Sequence, residues 1–251
     1  MMRSVTSILL GLLLLAGYVI GEKTKSSNAA TVTFTMRMGR TDQGTEEYKI
    51  VHNQGGYLLT STVHLRKYGE AVFSEQQQRL APDWSPVAYN LKTTMAQEQR
   101  TTGASIANGT IKMHSESGAD VKEKTIDQQP PTLVFDNILP SQFQVLVKQY
   151  TVLHTQHAVQ FQLLVPQILG EFSGTLQAAG TDTGTLDDHR VVLKKYILET
   201  RGLSLEIWAD SHSRLMRVYL PTRDTEFVRT NFKMSKSPAS AAIGPVVVQR
   251  P

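Results

Sequence analysis

Hydrophobic and polar residues alternate along much of the chain between residues 31 and 232. In the first such segment Val32, Phe34 and Met36 fall on one side, with threonines between them. An alternation of period two is typical of a β-strand that has one buried face and one solvated face. The same pattern returns at residues 48–50, 57–66, 89–95, 159–165, 190–200, 203–207 and 215–220.

Turn-forming residues separate these segments by short distances. Asn108-Gly109 gives the strongest hairpin signal, because both residue types readily adopt the positive φ of a tight turn. Connections this short predict antiparallel neighbours, since a parallel crossover needs about a dozen residues or more. We therefore expect a mainly β fold, with a large curved antiparallel meander sheet of half-barrel-like form.

Residues 140–150 do not follow the period-two alternation, and their pattern predicts a helix. Ser141 followed three residues later by Gln144 matches a capping box, so the helix is expected to begin there. Its apolar stripe would be formed by Phe143, Leu146, Val147 and Tyr150. Because such a stripe must be buried, we expect this one helix to pack on the concave face of the sheet.

The N-terminus resembles an export signal. A basic residue, Arg3, precedes an apolar run over residues 8–20, which at ~1.5 Å per residue is shorter than the ~30 Å core of a membrane. We predict a signal peptide at 1–21, a linker at 22–30, a single β-rich domain at 31–232 and a flexible C-terminal tail at 233–251. The protein would then be exported to the periplasm or cell envelope.

Two alternatives to this organisation stay open. An uncleaved N-terminal segment would act as a signal anchor and add membrane association. A boundary at residues 128–132, which include Pro130 and Pro131, would divide the β-rich region into two domains.

The composition narrows the class of protein. The chain has no cysteine, which excludes disulfides, thiolate metal sites and cysteine nucleophiles, and an exported protein of this kind is typical of bacteria. The formal net charge is +4 with no dense run of lysine and arginine, so the sequence does not indicate nucleic-acid binding.

Candidate catalytic and metal-binding residues are few. His154 and His157 are three apart in a segment that enters a strand, where they would face opposite sides, so surface histidines are the better interpretation. Asp187, Asp188 and His189 could supply a base and its orienting carboxylate, but the chain has no Gly-x-Ser-x-Gly elbow and a charged turn explains them equally. We expect no catalytic residues, no metal and no cofactor.

Three segments carry a resemblance to a known group of proteins. They are residues 134–137 (VFDN), 163–167 (LLVPQ) and 205–210 (LEIWAD) with 214–218 (RLMRV). With them the chain resembles an uncharacterised family of secreted bacterial β-rich proteins, and it is distantly similar to periplasmic lipoprotein-carrier half-barrels. The distant resemblance implies an incomplete barrel whose hollow holds an acyl chain or a hydrophobic partner, and it assigns no site residue.

These observations lead to one main hypothesis. The protein would be a non-enzymatic periplasmic or envelope-associated protein that binds a lipid, an acyl chain or a partner protein. The candidate lining residues are Phe143, Leu146, Val147, Tyr150 and Trp208. For Trp208, packing in the core or at a sheet edge is an alternative.

Two other functions are weighed against it. A structural or interaction module could join an envelope assembly through its sheet edges. A hydrolase of envelope material is less favoured, because no catalytic constellation supports it.

Overall fold

The computed structural model describes residues 29–67, 69–136, 139–153, 155 and 157–235. The predicted signal peptide, residues 22–28 of the predicted linker and the predicted tail from residue 236 onward lie outside the described residues. The division of the chain into these parts and one domain stays a prediction.

The described residues form a sheet of sixteen strands. In chain order the strands are β1 (Val32–Met38), β2 (Thr41–Asn53), β3 (Gly56–Lys67), β4 (Glu70–Leu80), β5 (Pro86–Met95), β6 (Glu98–Ala107), β7 (Thr110–Ser117), β8 (Asp120–Asp127), β9 (Thr132–Val134), β10 (Val159–Val165), β11 (Gly170–Leu186), β12 (His189–Thr200), β13 (Leu203–Asp210), β14 (Leu215–Leu220), β15 (Thr225–Arg229) and β16 (Phe232–Met234). A helix, α1 (Pro140–Val152), separates β9 from β10, and two 3-10 turns occupy Pro166–Ile168 and Pro221–Arg223.

The sheet is a meander in two halves. Strands β1 to β8 pair in sequence order, strands β9 to β15 do the same, and β1 pairs with β15 to join the halves. All the pairings are antiparallel except that of β9 with β10, which is parallel. Strand β16 pairs with the C-terminal part of β11. The predicted antiparallel meander is confirmed.

Tight turns account for the short connections. At the β6–β7 hairpin both Asn108 and Gly109 have positive φ, as a two-residue hairpin turn requires. The hairpin predicted from the sequence is therefore present.

The sheet curves until its two ends face each other. Val63 of β3, Ile111 of β7 and Leu164 of β10 belong to one buried cluster, although these strands lie far apart in the strand order. The result is an open half-barrel, as expected.

Helix α1 lies inside this half-barrel. Its buried residues include Phe143, Leu146 and Tyr150, which pack with side chains from both halves of the sheet, among them Leu59 and Leu205. The helix on the concave face is confirmed, but the predicted capping box is wrong. Helix α1 begins at Pro140 with Leu139 at the N-cap position, two residues before Ser141, and no side chain of its own caps it.

The two ends of the strand order differ. Strand β9 is buried, and the side-chain amide of Gln149 in α1 donates to the carbonyl oxygens of Thr132 (3.0 Å) and Trp84 (2.9 Å). Strand β8 is almost wholly exposed and pairs on one side only. The helix therefore covers one edge of the sheet, whereas β8 stays open.

Candidate ligand-binding cavity

A cavity of about 380 Å³ lies on the concave side of the sheet, beside the N-terminal end of α1. Strands β1 to β7 supply most of its walls. Leu139, which precedes α1, and Gln167, in the turn after β10, complete it. The cavity thus lies where the helix begins, next to the buried clusters that the helix and the sheet side chains form.

The strand register arranges the lining side chains in two neighbouring rows, since residues directly opposite one another share a face of the sheet. One row consists of Leu65, Val72, Met95 and Glu98. The other row consists of Val63, Ser74, Thr93, Arg100 and Ser117.

One part of the cavity wall is apolar. Met36 and Met38 of β1 join Leu65, Val72 and Met95 around the cavity. Methionine has a flexible and polarizable side chain that adapts to varied shapes, and it is frequent at surfaces that accept several ligands. This wall can therefore accommodate an apolar chain without a fixed outline.

The floor is polar. The hydroxyl groups of Ser74 and Thr93 hydrogen-bond to each other at 2.9 Å. Two residues further along β4, Gln76 is buried and its amide donates to the hydroxyl of Ser141, at 3.3 Å. Polar groups thus continue from the floor of the cavity to the start of α1.

Glu46 lies at the centre of this polar region and is almost fully buried. Its Oε1 accepts a hydrogen bond from the hydroxyl of Ser61 (2.6 Å), and its Oε2 accepts one from the backbone amide of Ser141 (3.0 Å). Burial raises the pKa of Glu46 above its ordinary value, although both serines act in the opposite direction. Glu46 therefore supplies the cap that the sequence of the helix lacks.

Asp136 forms a second buried polar group near the helix start. Its carboxylate accepts hydrogen bonds from the hydroxyl groups of Tyr89 (3.4 Å) and Thr102 (3.1 Å). Burial and the neighbouring carboxylate raise the pKa of Tyr89 well above its ordinary value, so this phenol stays protonated and remains a donor.

The mouth of the cavity is charged. Arg66, Glu98 and Arg100 border it, and both arginines are exposed. Beyond Arg100 lies a second cavity of about 260 Å³, with hydroxyl groups from Ser115 and Ser117 and an ion pair between Lys122 and Asp120 (2.9 Å). Arg100, Ser117 and Gln167 line both cavities.

The candidate lining residues from the sequence lie elsewhere. Four of them are buried in the main core on helix α1, namely Phe143, Leu146, Val147 and Tyr150. Trp208 packs in a different cluster with Leu193 and Phe232, and its indole Nε1 donates to Asp182 at 2.7 Å. The structure thus brings the four helix residues together and separates Trp208 from them. None of the five lines the cavity described above, and their role as ligand contacts stays a prediction.

Sequence reasoning missed the residues that do line it. Strand β4 shows why they were missed. Ser74, Gln76 and Gln78 are buried and alternate with exposed residues, whereas their polar character indicates an outward face. These inward polar residues lie where the apolar core ends and the polar floor of the cavity begins.

The other candidates for chemistry are also located. Asp187 and Asp188 form the tight turn between β11 and β12, both with positive φ, and His189 is exposed beside them. His154 lies outside the described residues. Among the residues that the structure describes, no group of three His, Asp or Glu could hold a metal ion. In the same part of the chain, no helix has both the length and the apolar character to cross a membrane.

Comparisons with known proteins give a limited result. No protein-family model matches the chain, and no curated protein sequence matches it. Among solved structures, the chain is similar to a DUF1089 family protein from Pseudomonas aeruginosa, with 9% identity and a TM-score of 0.45, over 68% of this chain and 87% of that one. It is also similar to a candidate lipoprotein from Parabacteroides distasonis, with 7% identity and a TM-score of 0.31, over 83% of this chain and 96% of that one.

Proposed function

We propose that this chain is an exported, non-enzymatic envelope protein that binds a hydrophobic ligand, a lipid or acyl chain, in the cavity beside helix α1. The observation that carries the proposal is the apolar wall of an open cavity of about 380 Å³ on the concave side of the sheet. This volume falls in the ~300–1,000 Å³ range of small-molecule sites.

The way the fold treats its apolar residues supports this function. Elsewhere on the concave face, apolar side chains such as Leu59 and Leu91 are fully covered. At the cavity Leu65 and Val72 are only partly covered, and Met38 is 54% exposed. Leaving such a wall in contact with water costs free energy that an apolar ligand would recover on binding.

The proposed location rests on the N-terminal sequence. A cleaved signal at residues 1–21 would place the folded part outside the cytoplasm, where lipids of the envelope are available as ligands. Lipid binding in the envelope requires no catalytic group, in keeping with the expectation from the sequence.

The experiment is native mass spectrometry with lipid extraction, on full-length protein purified from the envelope fraction without harsh detergent. Wild-type protein is expected to carry a lipid in stoichiometric amount. Val72→Trp, which fills the cavity, is expected to lose it. Val192→Trp is the matched control, because Val192 is a strand valine that is 61% exposed and lies on β12, outside the cavity.

Two results would contradict the proposal. One is wild-type protein that carries no lipid and binds none when fatty acids are added. The other is a folded Val72→Trp protein that retains as much lipid as the Val192→Trp control.

A second candidate function, binding of a partner protein by strand addition, is favoured by strand β8. Its outer side faces no other strand among the described residues, and Val121 is 58% exposed there. Glu123→Pro would interrupt the edge, so capture of a partner from envelope extract should be lost in this variant and kept in Val72→Trp. Equal capture by wild type and a folded Glu123→Pro protein would rule out the edge.

A further inference from the structure

We infer that the ligand is an amphiphile with an anionic head, a carboxylate or phosphate, and that Arg100 binds this head at the boundary between the two cavities. The inference rests on the proposed function, because it names the chemical class of the molecule bound at the same site.

The site is divided into an apolar part and a polar part. The larger cavity has a wall of Met36, Leu65, Val72 and other apolar side chains. The smaller cavity, of about 260 Å³, is lined instead by hydroxyl, amide and charged groups, with Ile168 and Leu169 at its side. A molecule that extends from the apolar wall into the smaller cavity would place an apolar end against the first and a polar end in the second.

Arg100 lies where the two parts of the site meet. The register places it on the concave face, directly between Thr93 of β5 and Ser117 of β7. It lines both cavities, so its guanidinium is available where the polar end of a ligand would leave the apolar wall. Arginine presents several N–H donors in a planar fork, which matches a carboxylate or a phosphate.

The balance of charge around Arg100 is positive. The titratable groups that line the two cavities are Arg66, Glu98, Arg100, Asp120 and Lys122. Asp120 is engaged by Lys122 at 2.9 Å, whereas the ion pairs among the described residues include none with Arg66 or Arg100. The cationic side chains outnumber the carboxylates. Neither arginine is in an ion pair with another described residue, so both can bind an anion.

The hydroxyl groups complete the recognition of such a head. Ser115 and Ser117 of β7 line the smaller cavity together with Gln167. These groups can donate hydrogen bonds to anionic oxygens that Arg100 does not reach.

The test uses two fluorescent probes that share one chain, cis-parinaric acid and its methyl ester, titrated into full-length protein at low salt. Wild type is expected to bind the acid more tightly than the ester. Arg100→Gln is expected to weaken the acid by ~10- to 100-fold, the range of a charge-assisted hydrogen-bonded contact, and to leave the ester unchanged. Arg100→Lys should restore part of the loss, and Arg190→Gln, an exposed arginine on β12, should change neither probe.

The possible outcomes separate this inference from the function on which it rests. If neither probe binds wild type, the proposed function itself fails. If both bind wild type equally, or if Arg100→Gln weakens both to the same degree, the cavity takes a chain but the anionic head is disproved.

The source of the anion is tested with inorganic phosphate. Competition by phosphate against the acid but not the ester supports a head site that belongs to the amphiphile. Tight binding of phosphate alone to Val72→Trp, in which the apolar cavity is filled, would instead show a site for a free anion and overturn the inference.

Discussion

The carboxylate of Glu46 accepts a hydrogen bond of 3.0 Å from the backbone amide of Ser141, a residue 95 positions further along the chain. The first amides of a helix have no partner within the helix itself. Because Glu46 is on β2, this bond fixes the start of α1 against the sheet. The start of α1, in turn, determines where the filled part of the hollow ends and the cavity begins.

Glu46→Gln should change how stability depends on pH. Burial raises the pKa of Glu46 in the folded protein above its ordinary value near 4.5. The folded state therefore holds this proton more tightly than the unfolded state, so its contribution to stability is fully present at low pH and is lost as pH rises through the folded-state pKa.

Glutamine resembles the protonated acid and does not titrate. The variant should match wild type at about pH 4 and exceed it in melting temperature at about pH 8. Thermal unfolding of both proteins across this range measures the difference. A difference that does not grow with pH would show that Glu46 is not the group responsible.

Gly44→Ala should destabilise the protein strongly. Gly44 lies opposite Met36 at a bulge in the β1–β2 pairing, its φ is +148°, and a Cβ there would come within 1.9 Å of the carbonyl oxygen of His64. Strain of the backbone and displacement of β3 should together cost about 3 kcal/mol.

Gly109→Ala provides the comparison, because Gly109 also has positive φ but has no atom within 4 Å of the added carbon. It should cost about 1 kcal/mol. Urea unfolding of both variants gives the two values, and equal costs would mean that the contact with β3 relaxes freely.

Gln149→Leu should loosen strand β9. The amide of Gln149 donates to the carbonyl oxygens of Thr132 and Trp84, and both would be left buried without this donor. The expected loss is about 2 kcal/mol, with faster hydrogen exchange at the amides of β9 and β10. Gln160→Leu, at an exposed position on β10, should change stability by less than about 0.5 kcal/mol. Unchanged exchange in Gln149→Leu would mean that α1 does not hold this edge.

Asp182→Ala should expose the surroundings of Trp208. The indole Nε1 of Trp208 donates to Asp182, and the cations of Arg217 and Lys195 lie 4.9 Å and 5.2 Å from its ring. Loss of the acceptor should cost about 1 kcal/mol and shift the tryptophan emission to longer wavelength.

The emission of Trp208 can be isolated in a Trp84→Phe background. Asp127→Ala, an exposed carboxylate on β8, is the control and should leave the spectrum unchanged. If Asp182→Ala also leaves it unchanged, the side chain of Trp208 is held by the two cations and its apolar neighbours alone.

The sequence was informative wherever structure depends on near neighbours. The alternation from Val32 onward, the Asn108-Gly109 turn and the apolar stripe of α1 all reflect contacts within a strand, a hairpin or a helix turn. These patterns were sufficient to predict the class of fold and the helix on its concave face.

The remaining features depend on residues that are far apart in the chain. The pairing of β1 with β15 and the parallel pairing of β9 with β10 have no local signal, because neither pair is joined by a short turn. The cap supplied by Glu46 could not be predicted from the helix sequence for the same reason. Export, by contrast, rests on residues 1–21 and stays a prediction.

The cavity could not be predicted from the sequence, because its polar residues have another ordinary interpretation. Ser74 and Gln76 are ordinary signs of a solvated face, yet they point into the half-barrel. Contacts with α1 and between the two ends of the sheet decide which inward residues are packed and which line open space. Trp208 is the opposite case, because its large apolar side chain lies outside the half-barrel. It packs on the other side of β13 from Leu205 and Ile207.

The unequal edges of the sheet have a consequence for self-association. Because α1 blocks β9, the long open edge among the described strands is β8, and β16 is only three residues long. A second copy that joined β8 to β8 would form a joint symmetric about a two-fold axis. Such a pair would occupy the β8 edge of both molecules, so this edge would be closed to further strand addition.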